Sequence, residues 1–139
     1  MKQLLPTLFF LLLVALGCSG GREQANTSTP PPGPPMPVKA DDLIKAYKAN
    51  EIAADEKYRG KLLEVAGKVS DISDTLGSLQ VDLGISTKDF EMVTVKCSFP
   101  DSERPKIAKL QKGNTATFLG RGDGMTAGLY VGLTDCSLK

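Results

Sequence analysis

The sequence predicts a mainly β fold: a five-stranded barrel with N-terminal helices and one helix between the third and fourth strands. Three observations predict it. Side chains alternate apolar and polar with a period of two in three separate stretches after residue 61. Two helical patterns precede those stretches, and glycine-rich turns separate them. The only break in the run of strands is Pro100-Asp101-Ser102, followed by a helical pattern through Leu110.

The elements follow in order. Asp41-Asp42 stands before Leu43, Ile44, Ala46 and Tyr47, an apolar stripe at helical spacing with acids at its positive end. Asn50 ends that helix or caps a second, Glu51 to Tyr58, which closes before Gly60. Leu63, Val65, Gly67 and Val69 then alternate with Glu64, Ala66, Lys68 and Ser70 as a half-buried strand. Asp71 to Gly77 reads as a turn. Leu79, Val81 and Leu83 form the next inward row, and Val93, Val95, Cys97 and Phe99 the third. Ile107 and Leu110 face inward from the helix, with Pro105 tolerated in its first turn. Lys112-Gly113-Asn114 turns the chain into a strand from Thr115 to Arg121. A glycine-rich loop, Gly122 to Gly128, then leads to a last strand from Leu129 to Ser137.

Before this domain lie two segments of different character. Met1-Lys2 and an uncharged apolar run from Leu4 to Leu16 describe a secretory signal. Thirteen residues span about 20 Å as a helix, short of a membrane core of roughly 30 Å. The run stops at Val14-Ala15-Leu16-Gly17-Cys18 and continues Ser19-Gly20-Gly21, which resembles a bacterial lipobox. That resemblance implies cleavage after residue 17 and a lipid anchor on Cys18, with Ser19 resembling the outer-membrane default of Gram-negative cells. Residues 18–37 hold six of the nine prolines and read as a disordered tether reaching at most about 60 Å. The folded domain is then 38–139.

Composition narrows the function. The chain of 139 residues has 17 basic and 16 acidic side chains, three cysteines and no histidine. Removing Lys2, Arg22 and Glu23 leaves fifteen of each sign in the domain, which argues against a polyanion binder that works by charge. Without histidine there is no Ser-His-Asp or Cys-His machinery and no His-ligated metal. The expectation is no enzyme, no metal and no cofactor. Arg121-Gly122-Asp123 spells an adhesion tripeptide, but glycine and aspartate are also what a turn contains. Asp71, Asp74, Asp82, Asp123 and Asp135 fall near strand ends, and nothing in the spacing pairs any two of them for catalysis.

Three strands, a helix and two strands is the order of an OB-fold barrel. The stretch NEIAADEKYRGKLLEVAGKV, then VTVKCSF, LQKGNTATFLGRG and LYVGLTDCSL, resembles the tRNA_anti-like group of OB-fold proteins. Its marks are Asn50, Glu51, Ala54, Asp55, Lys57, Tyr58, Gly60 and Lys61, a Lys-Gly turn and two cysteines. The resemblance implies a short lipoprotein with a binding barrel.

In such a barrel the third and fifth strands are parallel neighbours, so Cys97 and Cys136 should lie close. Export places them in an oxidising compartment, and the expectation is a disulfide, with two buried free thiols as the alternative. A loop of about 40 residues would gain roughly 3–4 kcal/mol in the entropic account. Cys136 is out of phase with Val131 and Leu133, so a bulge or the strand's end must turn it.

The expected binding face is the outward side of the second and third strands with the flanking loops Asp71–Gly77 and Arg121–Gly128. Its residues are Gln80, Asp82, Met92, Thr94, Lys96, Arg121, Asp123 and Tyr130. The expected ligand is an envelope protein, peptide or glycan. Single-stranded nucleic acid is the alternative, which needs a basic groove and stacking aromatics.

Overall fold

The computed structural model describes residues 33–84 and 93–139. The signal segment, Cys18 and most of the tether lie outside the described residues, as do Phe90 and Met92.

The chain runs β1 (Met36–Lys39), α1 (Ala40–Ala49), α2 (Glu51–Tyr58), β2 (Leu62–Thr75), β3 (Ser78–Leu83) and β4 (Thr94–Phe99). A 3-10 turn (Asp101–Glu103), α3 (Arg104–Ile107), β5 (Thr115–Thr126) and β6 (Tyr130–Leu138) complete it. The sheet order is β1-β2-β3-β4-β6-β5, and β5 pairs back onto β2 to close the ring. Strands β2 to β6 thus form the five-stranded barrel, with helices on the N-terminal side and a helical segment between its third and fourth strands. β4 and β6 run parallel, as the sequence predicts, with Cys97 opposite Leu133.

Within the barrel β2 serves two partners. Its first half pairs with β5 and its second with β3, and the register shifts between Val69 and Asp71 where one partner gives way to the other. A bulge of this kind bends and coils a strand far enough to close a small barrel. The predicted turn Asp71–Gly77 is accordingly strand as far as Thr75, and only Leu76-Gly77 turn, both at positive φ. The polar run there belongs to a hairpin whose backbone ladder needs no apolar alternation. β1 is a second difference: Met36 and Pro37, expected within the tether, belong to a strand that adds to β2 in parallel, Met36 opposite Leu63.

The core is the inward row of each strand sealed at both ends. Phe118, Leu63, Leu83, Leu133 and six valines are buried in the core. Phe99 and Phe118 meet edge to face, centroids 4.9 Å apart. At one end α1 buries Ala40, Leu43, Ile44 and Tyr47, with Ala40 and Ile44 against Gly84 at the exit of β3. At the other, the α3 segment buries Ile107, and Glu103 accepts the Leu138 N–H at 3.0 Å. The helix expected through Leu110 stops at Ile107, with turn backbone beyond it.

The second helix begins where the sequence places it. Asn50 terminates α1 and caps α2, its side-chain oxygen accepting from Ala53 N–H at 3.1 Å. α2 then lies on β5, which explains two glycines of that strand, Gly122 and Gly124. Gly122 faces the Tyr58 carbonyl so closely that a Cβ would sit 3.1 Å from the carbonyl carbon and nearer still to its oxygen. Gly60 N–H donates to Gly122 O at 2.8 Å, and Gly122 N–H to Lys61 O at 3.0 Å. The stretch expected as a glycine-rich loop is therefore strand to Thr126; Gly122 and Gly124 make room for the helix, and Gly128 alone of its glycines lies in the turn.

Candidate binding face

Alternation along β3, β4 and β6 carries a row of polar side chains to the outside of the barrel. Gln80 stands opposite Ser98, Asp82 opposite Lys96, and Thr94 opposite Tyr130. Lys96 is also opposite Gly132 on β6. That glycine leaves a gap in the row, and Asp123 leans over it from β5, its Cβ 3.4 Å from where a Gly132 Cβ would be. Asp123 reaches this position because the β5–β6 register shifts between Gly122 and Gly124.

The groups are coupled. Lys96 Nζ lies over the Tyr130 ring, 4.6 Å from its centroid. Thr94 Oγ1 donates to Asp82 Oδ2 at 3.2 Å, and Ser70 Oγ donates to the Asp82 carbonyl at 3.1 Å. Asp71 is the cross-strand neighbour of Asp82 and forms an ion pair with Lys112. Burial raises the Asp82 carboxyl above its ordinary value; Lys96 and Thr94 oppose that shift and Asp71 adds to it. The hydrogen bond from Lys112 holds Asp71 below its ordinary value. A pocket of about 350 Å³ is lined by Asp41, Lys68, Ser70 and Lys112.

Gln80, Asp82, Thr94, Lys96, Asp123 and Tyr130 thus share one side of the barrel. Arg121 points elsewhere, its guanidinium donating to Gly60 O at 2.9 Å. Met92 lies outside the described residues. Asp71, expected in a flanking loop, lies on strand β2 at the same surface, and Lys112 and Gly132, which the sequence did not single out, join it. The usable signal was Ile72, which restarts an alternation one residue out of step with Val69. The hairpin tips carry two exposed leucines, Leu76 and Leu129.

The run from Asn50 to Lys61 is accounted for by helix docking. Asn50 caps α2, while Ala54 and Tyr58 are buried. Asp55 accepts from the Tyr47 hydroxyl at 3.0 Å and pairs with Arg59 at 3.1 Å. Lys61 Nζ donates to Glu56 O. Cys97 and Cys136 both point into the core as free buried thiols, in hydrogen-bonding contact. A bulge at Asp135, φ 52°, restores the phase of Cys136.

A closed barrel of this strand order, capped by helices and presenting a polar outer face on its second, third and fifth strands, is an OB-fold, a binding fold. The chain belongs to the tRNA_anti-like family, whose model matches residues 1–137. No curated protein matches the sequence. Among solved structures it is similar to a Klebsiella pneumoniae protein described as a "putative nucleic acid-binding lipoprotein". Identity is 18% and the TM-score 0.60, over 76% of this chain and 92% of that one. A lysozyme-bound OBody matches at 16% identity and a TM-score of 0.44, over 59% of this chain and 84% of its own. RecG on a three-way DNA junction matches at 12% and 0.44, over 75% of this chain and 12% of its own.

Proposed function

We propose that this protein is a non-catalytic, lipid-anchored binding module of the bacterial cell envelope, held through Cys18 on a proline-rich tether. Its ligand is a protein, peptide or glycan, met by the outer face of β3, β4 and β6. The observation that carries the reading is the electrostatics of that face. Asp71, Asp82 and Asp123 stand among Lys96 and Lys112, and Lys96 lies on Tyr130, the one aromatic ring of the row. A phosphate backbone needs a basic groove and open stacking platforms, and the described residues of this surface supply neither. Hydrogen-bonding and apolar ligands find carboxylates, hydroxyls and two exposed leucines at the flanking tips.

Single-stranded nucleic acid is the second reading, favoured by an aromatic ring beside a cation on an OB barrel. The wording attached to the Klebsiella neighbour adds to it. Oligonucleotide binding at two salt concentrations separates the two. Micromolar affinity with a steep salt dependence would replace the first reading by the second. The anchor is tested by fractionation: wild type partitions with the membrane and Cys18→Ala does not, and equal partitioning refutes the anchor. For the face, crosslinking in detergent-solubilised envelope should give an adduct that Tyr130→Ala and Asp82→Asn lose. An adduct retained in both variants moves the binding surface elsewhere.

A further inference from the structure

We propose that Cys97 and Cys136 are joined by a disulfide in the exported chain, and that the bond is made before the barrel closes. The two residues lie on neighbouring parallel strands, β4 and β6, and point to the same side. The bulge at Asp135 turns Cys136 into the same buried core as Cys97. Gly120 on β5 completes the arrangement. A Cβ there would come 2.6 Å from the Cys136 sulfur and 3.2 Å from Leu133, so glycine leaves the space the sulfur occupies.

The order of events follows from burial. Cys97 is 0% exposed and Cys136 1%. Burial, followed by the hydrogen bond to Cys136, pushes the Cys97 thiol well above its ordinary value. The attacking species in thiol–disulfide exchange is a thiolate with access to the incoming disulfide, and the closed barrel denies both. In the open chain one cysteine thiolate attacks a protein or small-molecule disulfide, forms a mixed disulfide and releases one thiolate. The second cysteine thiolate then attacks the chain's own sulfur, forms the Cys97–Cys136 bond and releases the other. The two cysteines lose two protons and two electrons, and the incoming disulfide becomes two thiols.

The proposal rests on the export reading, and its test separates the two. Full-length protein from the envelope is denatured without reductant in N-ethylmaleimide, digested and mapped. The expected result is a linked peptide pair containing Cys97 and Cys136, with neither labelled until reductant is added. Label on both cysteines overturns the bond. The same map on purified protein refolded in a glutathione redox buffer is expected to show the link, and its absence there overturns the bond independently of location. Recovery from the cytoplasm overturns export alone. For the order of events, reduced and refolded protein is challenged with oxidised glutathione in buffer and in urea. Oxidation is expected to be at least about 100-fold slower in buffer, because it waits on opening of the barrel. Equal rates overturn formation before closure.

Discussion

Replacing Gly122 by alanine tests why glycine occupies the centre of β5. The added methyl carbon would stand 3.1 Å from the Tyr58 carbonyl carbon and closer to its oxygen, whereas relaxed carbon–oxygen contacts begin near about 3.3 Å. Backbone sits on both sides of the contact, so α2 or β5 has to move by several tenths of an ångström. Two hydrogen bonds oppose that movement: Gly60 N–H to Gly122 O at 2.8 Å and Gly122 N–H to Lys61 O at 3.0 Å. Overpacking costs about 1–3 kcal/mol, and each weakened bond up to about 1 kcal/mol. Loss of glycine's freedom in the unfolded chain returns about 0.4–1 kcal/mol. The net loss is about 2–4 kcal/mol, which at a urea m-value of about 2 kcal/mol/M moves the midpoint down by about 1–2 M. Urea denaturation followed by far-UV circular dichroism measures it. Gly77→Ala is the control, because that residue has φ +78° and open space around it, so it loses only the left-handed conformation, about 1 kcal/mol. A Gly122→Ala midpoint loss no larger than that of Gly77→Ala refutes the docking argument.

Asp82 has a raised carboxyl pKa, so its ionisation opposes folding above that pKa, and the opposition fades as pH falls through it. Asp82→Asn is therefore expected to raise the urea midpoint at pH 7 and to match wild type near pH 3.5; a variant weaker than wild type at pH 7 contradicts the assignment. Tyr47→Phe removes the hydroxyl that donates to Asp55 at 3.0 Å and should cost about 1–2 kcal/mol in thermal unfolding, with α1 and α2 retained. Asn50→Ala deprives the Ala53 N–H of its acceptor and should cost about 1 kcal/mol, while Asn50→Ser keeps most of it.

Some residues could be read where they stand. Asn50 before an alternating helical pattern gave the break between α1 and α2, because a cap acts over three residues. The inward rows Leu79-Val81-Leu83 and Val95-Cys97-Phe99 were visible because burial on one side of a strand imposes a period of two. Other residues misled for a physical reason. Gly122 and Gly124 look like turn glycines, but their missing side chains make room for Tyr58 and Asp55 on a helix some sixty residues earlier. Met36–Lys39 follows a proline block and carries no strand signal, yet pairs along β2. On the binding face, Asp82, Thr94 and Lys96 were legible from alternation. Asp71 was expected there as a loop residue; that it stands on a strand was not legible, because the bulge between Val69 and Asp71 interrupts the alternation.

The sequence by itself determined the order of the helices and the five barrel strands, the inward rows of most strands and the neutral charge of the domain. Each is a property of neighbouring residues or of composition. The tertiary structure decided where β2 changes partner, why β5 is rich in glycine, and that Asp123 and Tyr130 join Asp82 and Lys96 on one surface. Those outcomes depend on cross-strand register and on how closely two backbones approach. A one-residue bulge or a missing Cβ changes either of them without altering the local pattern.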